Sequence, residues 1–117
     1  MTIIITMPLQ LQLQKVYFDL ILSGQKTMEG RLWKEKYASL QPGDVLEFIS
    51  IDDRTLQRTV QEVHRYQRFE QMLLSQGYTA FLGQTVHSLD EAVAVYLSLP
   101  GYAKGEEASG VVAFSLS

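Results

Sequence analysis

The sequence predicts an α+β fold with a curled or barrel-like sheet. The predicted elements run strand, helix, several strands, two helices, strand. No strand–helix–strand alternation runs through them, so a wound parallel sheet is not expected. Glycine and proline fall between short elements and leave no linker, repeat or low-complexity tract, and residues 1–117 read as one domain.

Each element has its own signal. Thr2 to Thr6 is β-branched and reads as a strand. Leu13, Val16, Tyr17, Leu20 and Ile21 follow the spacing of an amphipathic helix, and Gly24 is a natural stop for it. Lys26 to Trp33 reads as a strand. Gln41-Pro42-Gly43-Asp44 has the proline and glycine of a type II turn. Val45 to Ile51 is a strong apolar strand, Asp52-Asp53-Arg54 turns the chain, and Leu56 to Tyr66 returns as a longer, more polar strand. Phe69, Met72 and Leu73 mark a short helix ended by Gly77. Ser88-Leu89-Asp90-Glu91 is a capping box, opening a helix with Leu89, Ala92, Val93, Tyr96 and Leu97 on one face. Pro100 and Gly101 end that helix, and Val111 to Leu116 is a closing strand.

Composition excludes several chemistries. The chain has no cysteine, which removes disulfides, a thiol nucleophile and thiolate metal sites. Its two histidines, His64 and His87, have no metal-ligand spacing, so no metal is expected. There is no glycine-rich phosphate loop, no Gly-x-Ser-x-Gly elbow and no dinucleotide fingerprint, and no cofactor is expected. Ile3-Ile4-Ile5 is too short for a signal peptide or a membrane span, so a cytoplasmic protein without a membrane partner is expected. The net charge of −3 argues against a broadly basic nucleic-acid binder. Charge is unevenly spread, however. Nine of the ten basic residues lie in 1–68, and residues 69–117 carry only Lys104 against five acids. A local basic cleft is compatible with that distribution.

The segment Ser23-Gly24-Gln25-Lys26-Thr27-Met28-Glu29-Gly30-Arg31-Leu32 carries the densest chemistry. In a strand, Thr27, Glu29, Arg31 and Trp33 share one face, and Met28, Gly30 and Leu32 the other. A hydroxyl, a carboxylate, a guanidinium and an indole in a row suit a polar pocket. Glu29 accepts from a ligand amine, Arg31 forks onto a phosphate or carbonyl, and Trp33 stacks on a base. On a solvated strand the same residues form a weak surface ion pair.

The run from Phe18 to Leu32 resembles the signature of the ASCH domain, part of the PUA-like superfamily. That pattern is a helix ending in Ile-x-x-Gly-x-Lys-Thr, then an apolar residue, Glu, one residue and Arg. Leu40-Gln41-Pro42-Gly43-Asp44 and the strand after it are similar to the family's Leu-x-x-Gly-Asp. Glu106 or Glu107 with Gly110 to Phe114 resembles its closing acid and strand. The resemblance is dense over residues 16–49, weak in the middle and returns at 110–116. It implies a PUA-like curled β-barrel, with a mixed sheet and surrounding helices, that binds RNA or a nucleoside-like small molecule. Some members are amidohydrolases acting on N4-acetylcytidine, and others are described as ribonucleases. In the amidohydrolases the motif lysine is catalytic, a nearby threonine is the nucleophile and a distant glutamate assists. Lys26 carries over directly, but Glu29 stands at the nucleophile's position and Thr27 is the remaining threonine. The catalytic candidates are thus Lys26, Glu29 and Thr27. Glu62, Glu70, Glu106 and Glu107 are further carboxylates that the sequence does not choose among.

Ligand contacts are expected from Arg31 and Trp33, and from Tyr102 in the Gly101–Gly105 loop. Arg54, Arg58, Arg65 and Arg68 form a basic run along the return strand, and Arg58 and Arg65 are the expected phosphate contacts. Tyr96, on an apolar helix face, is assigned to the core. Three functions remain open: an RNA- or nucleoside-binding domain, a small hydrolase using Lys26 and a carboxylate, and a coactivator-type interaction module without chemistry. The sequence leaves the oligomeric state open.

Overall fold

The computed structural model describes residues 7–117, so the strand expected at Thr2–Thr6 lies outside the described residues. The first described strand, β1 (Leu9–Leu13), is followed by helix α1 (Lys15–Ser23) and strand β2 (Met28–Leu32). A single turn of 3-10 helix at Glu35–Tyr37 leads to strands β3 (Val45–Ser50) and β4 (Thr55–Tyr66). Helices α2 (Phe69–Gln76), α3 (Tyr78–Leu82), α4 (Leu89–Leu97) and α5 (Tyr102–Ser109) precede the closing strand β5 (Val111–Leu116).

The five strands form one mixed sheet in the order β1-β3-β4-β5-β2. β1 runs parallel to β3, and every other neighbouring pair is antiparallel. The sheet curls into a half-barrel because β4 serves two partners. Its first half, Thr55–Thr59, pairs with β3, and its second half, Val60–Tyr66, pairs with β5. A register shift between Val60 and Glu62 marks the change of partner. An irregularity of this kind bends a strand and tightens its twist.

β5 joins two cores by simple alternation. Val112, Phe114 and Leu116 pack inside the curl with Leu11, Phe18, Ile21, Leu46, Phe48 and Val60. Val111 and Ala113 face the other way, onto Phe69, Met72, Leu73, Phe81 and Ala92 of the helices. A strand buried on both faces reads as a continuous apolar run, which is how Val111 to Leu116 reads in the sequence.

The helix expected from Leu13 begins at Lys15, because Leu13 ends β1 in register with Ser50. It stops as expected at Gly24, which adopts φ 86° and returns its N–H to the Ile21 carbonyl. The capping box is also present. Ser88 Oγ accepts from Glu91 N at 3.1 Å, and the Glu91 carboxylate accepts from His87 N at 3.0 Å. Residues 102–105, expected as a loop, instead open α5. Gly105 is what lets α5 lie against β2, since a Cβ there would enter the Leu32 side chain. Among the described residues no helix is long and apolar enough to cross a membrane, and no cluster of three or more His, Asp or Glu is placed to hold a metal ion.

Candidate functional site

β1 and β2 are the outer strands of the sheet, and the curl brings them face to face. A cleft of about 340 Å³ opens between them, with α4 as its far wall. Its floor is the chain Lys26 to Arg31. Gln12 and Leu13 of β1 form one side, and Tyr96, Leu99 and Tyr102 the other. Gly30 keeps the floor flat: a Cβ there would lie 2.5 Å from Met72 Cε and 3.1 Å from the Tyr96 hydroxyl.

The polar centre is a buried triad. Lys26 and Glu29 are each 3% exposed. Lys26 Nζ donates to the Met28 carbonyl at 2.6 Å and the Phe81 carbonyl at 2.7 Å, and lies 3.3 Å from Glu29 Oε1. Two hydrogen bonds and one ion-pair contact around the nitrogen suit an ammonium, which has three N–H groups and no acceptor. Glu29 Oε1 also accepts from Gly30 N at 3.1 Å, while Oε2 faces Arg31 Nη2 at 3.2 Å. The same Nη2 crosses the cleft to the Gln12 carbonyl at 2.6 Å, linking β2 to β1.

Burial opposes both charges of the Lys26–Glu29 pair. It lowers the Lys26 amine from its ordinary value, against the pull of Glu29. It raises the Glu29 carboxyl, but Lys26 and Arg31 together outweigh it and hold Glu29 below the usual carboxylate range. Burial also raises the phenols of Tyr17, Tyr96 and Tyr102, so all three stand in the cleft as neutral hydroxyls at neutral pH.

The structure brings Lys26, Glu29, Arg31 and Tyr102 together and leaves the other expected residues elsewhere. Thr27 precedes the strand, so its side chain does not follow the strand's alternation. It is exposed in a separate shallow cavity with Thr79 and Gln84. Trp33 follows the strand and packs on Tyr37, ring centroids 6.4 Å apart. The Arg65 guanidinium lies 3.9 Å above the Trp33 ring and donates to the Ser109 carbonyl at 3.3 Å. With Arg68, Tyr66 and Glu106 it lines a second groove of about 550 Å³. Arg58 is on the other half of β4 and donates to the Ile21 carbonyl at the end of α1, 3.3 Å away. Arg54 is held by Asp19 and Asp52, each at 2.9 Å, over the Phe18 ring.

The carboxylate beside Lys26 is Glu29, and none of the four further acids joins it. Glu106 accepts from Phe69 N at 2.7 Å and so caps α2. Glu62 pairs with His64 at 3.0 Å. Glu70 and Glu107 are exposed. Tyr96 packs in the helix-side core, as expected, and also lines the cleft; sequence reasoning missed that second position, and missed Tyr17 as a cleft residue. The available signal was the hydroxyl itself, since a buried tyrosine on an apolar face must aim its oxygen at a polar space.

Comparison with known proteins agrees with this architecture. No curated protein matches the chain. The crystal structure of a hypothetical protein designated PH0355 superposes with a TM-score of 0.82 at 33% identity, covering 95% of this chain and 98% of that one. The solution structure of protein PF0455 from Pyrococcus furiosus superposes with a TM-score of 0.72 at 29% identity, covering 95% and 96%. The family model of the ASCH domain matches residues 11–117, and the chain belongs to that family.

Proposed function

We propose that the β1–β2 cleft binds one nucleoside-like unit, free or as part of RNA, without covalent chemistry. One observation carries this reading: the Lys26 ammonium donates to two buried carbonyls and stands 3.3 Å from the Glu29 carboxylate, three oxygens around one cation. A lysine that transfers protons must shed one and become a free amine. Here that loss would take a donor from the buried Met28 or Phe81 carbonyl, at a cost of about 1–3 kcal/mol. Lys26 therefore serves as a fixed cation that shapes Glu29 and Arg31. The cleft volume of about 340 Å³ falls within the range of small-molecule sites. Arg31 and the tyrosines supply hydrogen bonds and aromatic walls.

A panel of nucleosides, acylated cytidines and short single-stranded RNAs tests the reading, with binding followed by calorimetry and turnover by chromatography. Saturable binding without turnover is expected, weakened at least tenfold by Arg31→Met. Deacylation by the native protein that disappears in Lys26→Arg would establish the hydrolase reading instead, because arginine stays protonated.

A further inference from the structure

We infer that the cleft selects nucleobases presenting a keto oxygen over those presenting an exocyclic amine; this rests on the nucleoside-binding reading above. Lys26 and Arg31 flank one carboxylate, so the triad carries one net positive charge. Among the described residues Glu29 is the only acid lining the cleft. A carboxylate offers about four lone-pair positions. Three are filled: Oε1 by Gly30 N at 3.1 Å and Lys26 at 3.3 Å, and Oε2 by Arg31 at 3.2 Å. A ligand amine entering this space meets positive charge and a nearly saturated acceptor.

Donors are in surplus. A guanidinium carries five N–H groups. The bonds from Arg31 to Gln12 and Glu29 both leave from Nη2. Among the described residues no hydrogen bond leaves its Nε or Nη1. Tyr17, Tyr96 and Tyr102 add hydroxyls to the same walls. A carbonyl oxygen accepts from the guanidinium and the hydroxyls alike, whereas an amine pairs only with a hydroxyl oxygen and leaves the guanidinium donors unpaired. A site built of buried donors rejects the ligand that fails to pair them far more strongly than a shape-only pocket does.

Keto and amino nucleosides come in pairs of matched size. Uracil presents O4 where cytosine presents an amine, and hypoxanthine presents O6 where adenine presents an amine. Comparing within each pair removes ring size from the test. Isothermal titration of the full chain with uridine, cytidine, inosine and adenosine is expected to give the keto member of each pair at least fivefold tighter binding. Tyr96→Phe keeps the ring that stacks on Phe69 at 4.6 Å and removes only the hydroxyl. It is expected to weaken uridine about fivefold and cytidine less than twofold. Cytidine or adenosine binding as tightly as its keto partner overturns the selectivity while leaving nucleoside binding intact. Failure of all four to bind at millimolar concentration overturns the nucleoside reading, and the selectivity with it. The native ratios decide the matter even if Tyr96→Phe does not fold.

Discussion

Glu29 shows how much one buried charge is asked to do. It neutralises Lys26, orients Arg31 and accepts the N–H of Gly30. Removing one partner of a buried ion pair costs about 3–5 kcal/mol, because the other charge is left uncompensated. Glu29→Gln is therefore expected to lower the urea midpoint by that order of free energy. The pH dependence follows from the same residue. The folded-state pKa of Glu29 is lowered, so the unfolded chain binds more protons as pH falls. The stabilisation is fully present above the ordinary carboxylate pKa, about 4.3, and is lost as pH falls below it. Urea unfolding at a series of pH values should show native stability dropping through that window, with a shallower drop in Glu29→Gln. An equal slope in both proteins would assign the acid sensitivity to other carboxylates, Asp52 first, whose exposed carboxyl is held at about 2 chiefly by hydrogen bonds from Arg54.

At the scale of elements, the turn from α5 into β5 is the most constrained. Gly110 has φ 74°, and a Cβ there would stand 2.8 Å from the Tyr66 carbonyl oxygen. Neither the left-handed backbone nor a main-chain oxygen fixed in the sheet has room to yield. Gly110→Ala is expected to destabilise the protein by about 1–3 kcal/mol, measured as a fall in the denaturant midpoint without a change in slope. Elements with a clean period were legible in the sequence. β3, α2 and α4 each keep one period, β5 is a continuous apolar run and β4 starts just after a turn, and the observed bounds of all five lie within a residue or two of those expected. α5 was not legible, because Tyr-Ala-Lys-Gly-Glu-Glu-Ala-Ser has low apolar content and an internal glycine. Its helix depends on packing: Tyr102 stacks on Phe69, and Glu106 caps α2. These are contacts between distant parts of the chain, which no local window contains.

For the whole molecule, the same distinction separates the legible part of the cleft from the rest. Lys26, Glu29 and Arg31 lie within six residues of each other, and their motif marked them. The opposite walls come from Gln12, Tyr17, Tyr96 and Tyr102, which only the curl of the sheet and the docking of α4 and α5 bring near. The basic run along β4 shows the converse. Arg58 and Arg65 look continuous in sequence, but they stand about 23 Å apart along the strand and bond to different elements. If RNA in the cleft extends over the second groove, Arg65 on its Trp33 platform would meet a backbone phosphate there. Arg65→Ala should reduce the slope of log affinity against log salt by about 0.7–0.9, with Arg58→Ala leaving it unchanged. Equal losses in both variants would return the two arginines to one surface.

The bond from Arg31 to the Gln12 carbonyl has a consequence for solubility as well as for ligand binding. A five-stranded sheet that does not close has two bare margins, and bare margins recruit strands from neighbouring molecules. Here the two margins confront each other across a gap occupied by a guanidinium, a carboxylate and an ammonium. A foreign strand would have to displace the guanidinium and desolvate the charges behind it before it formed one main-chain hydrogen bond. The charged residues of the cleft thus also stand in the way of one copy of the chain adding a strand to the next at these margins.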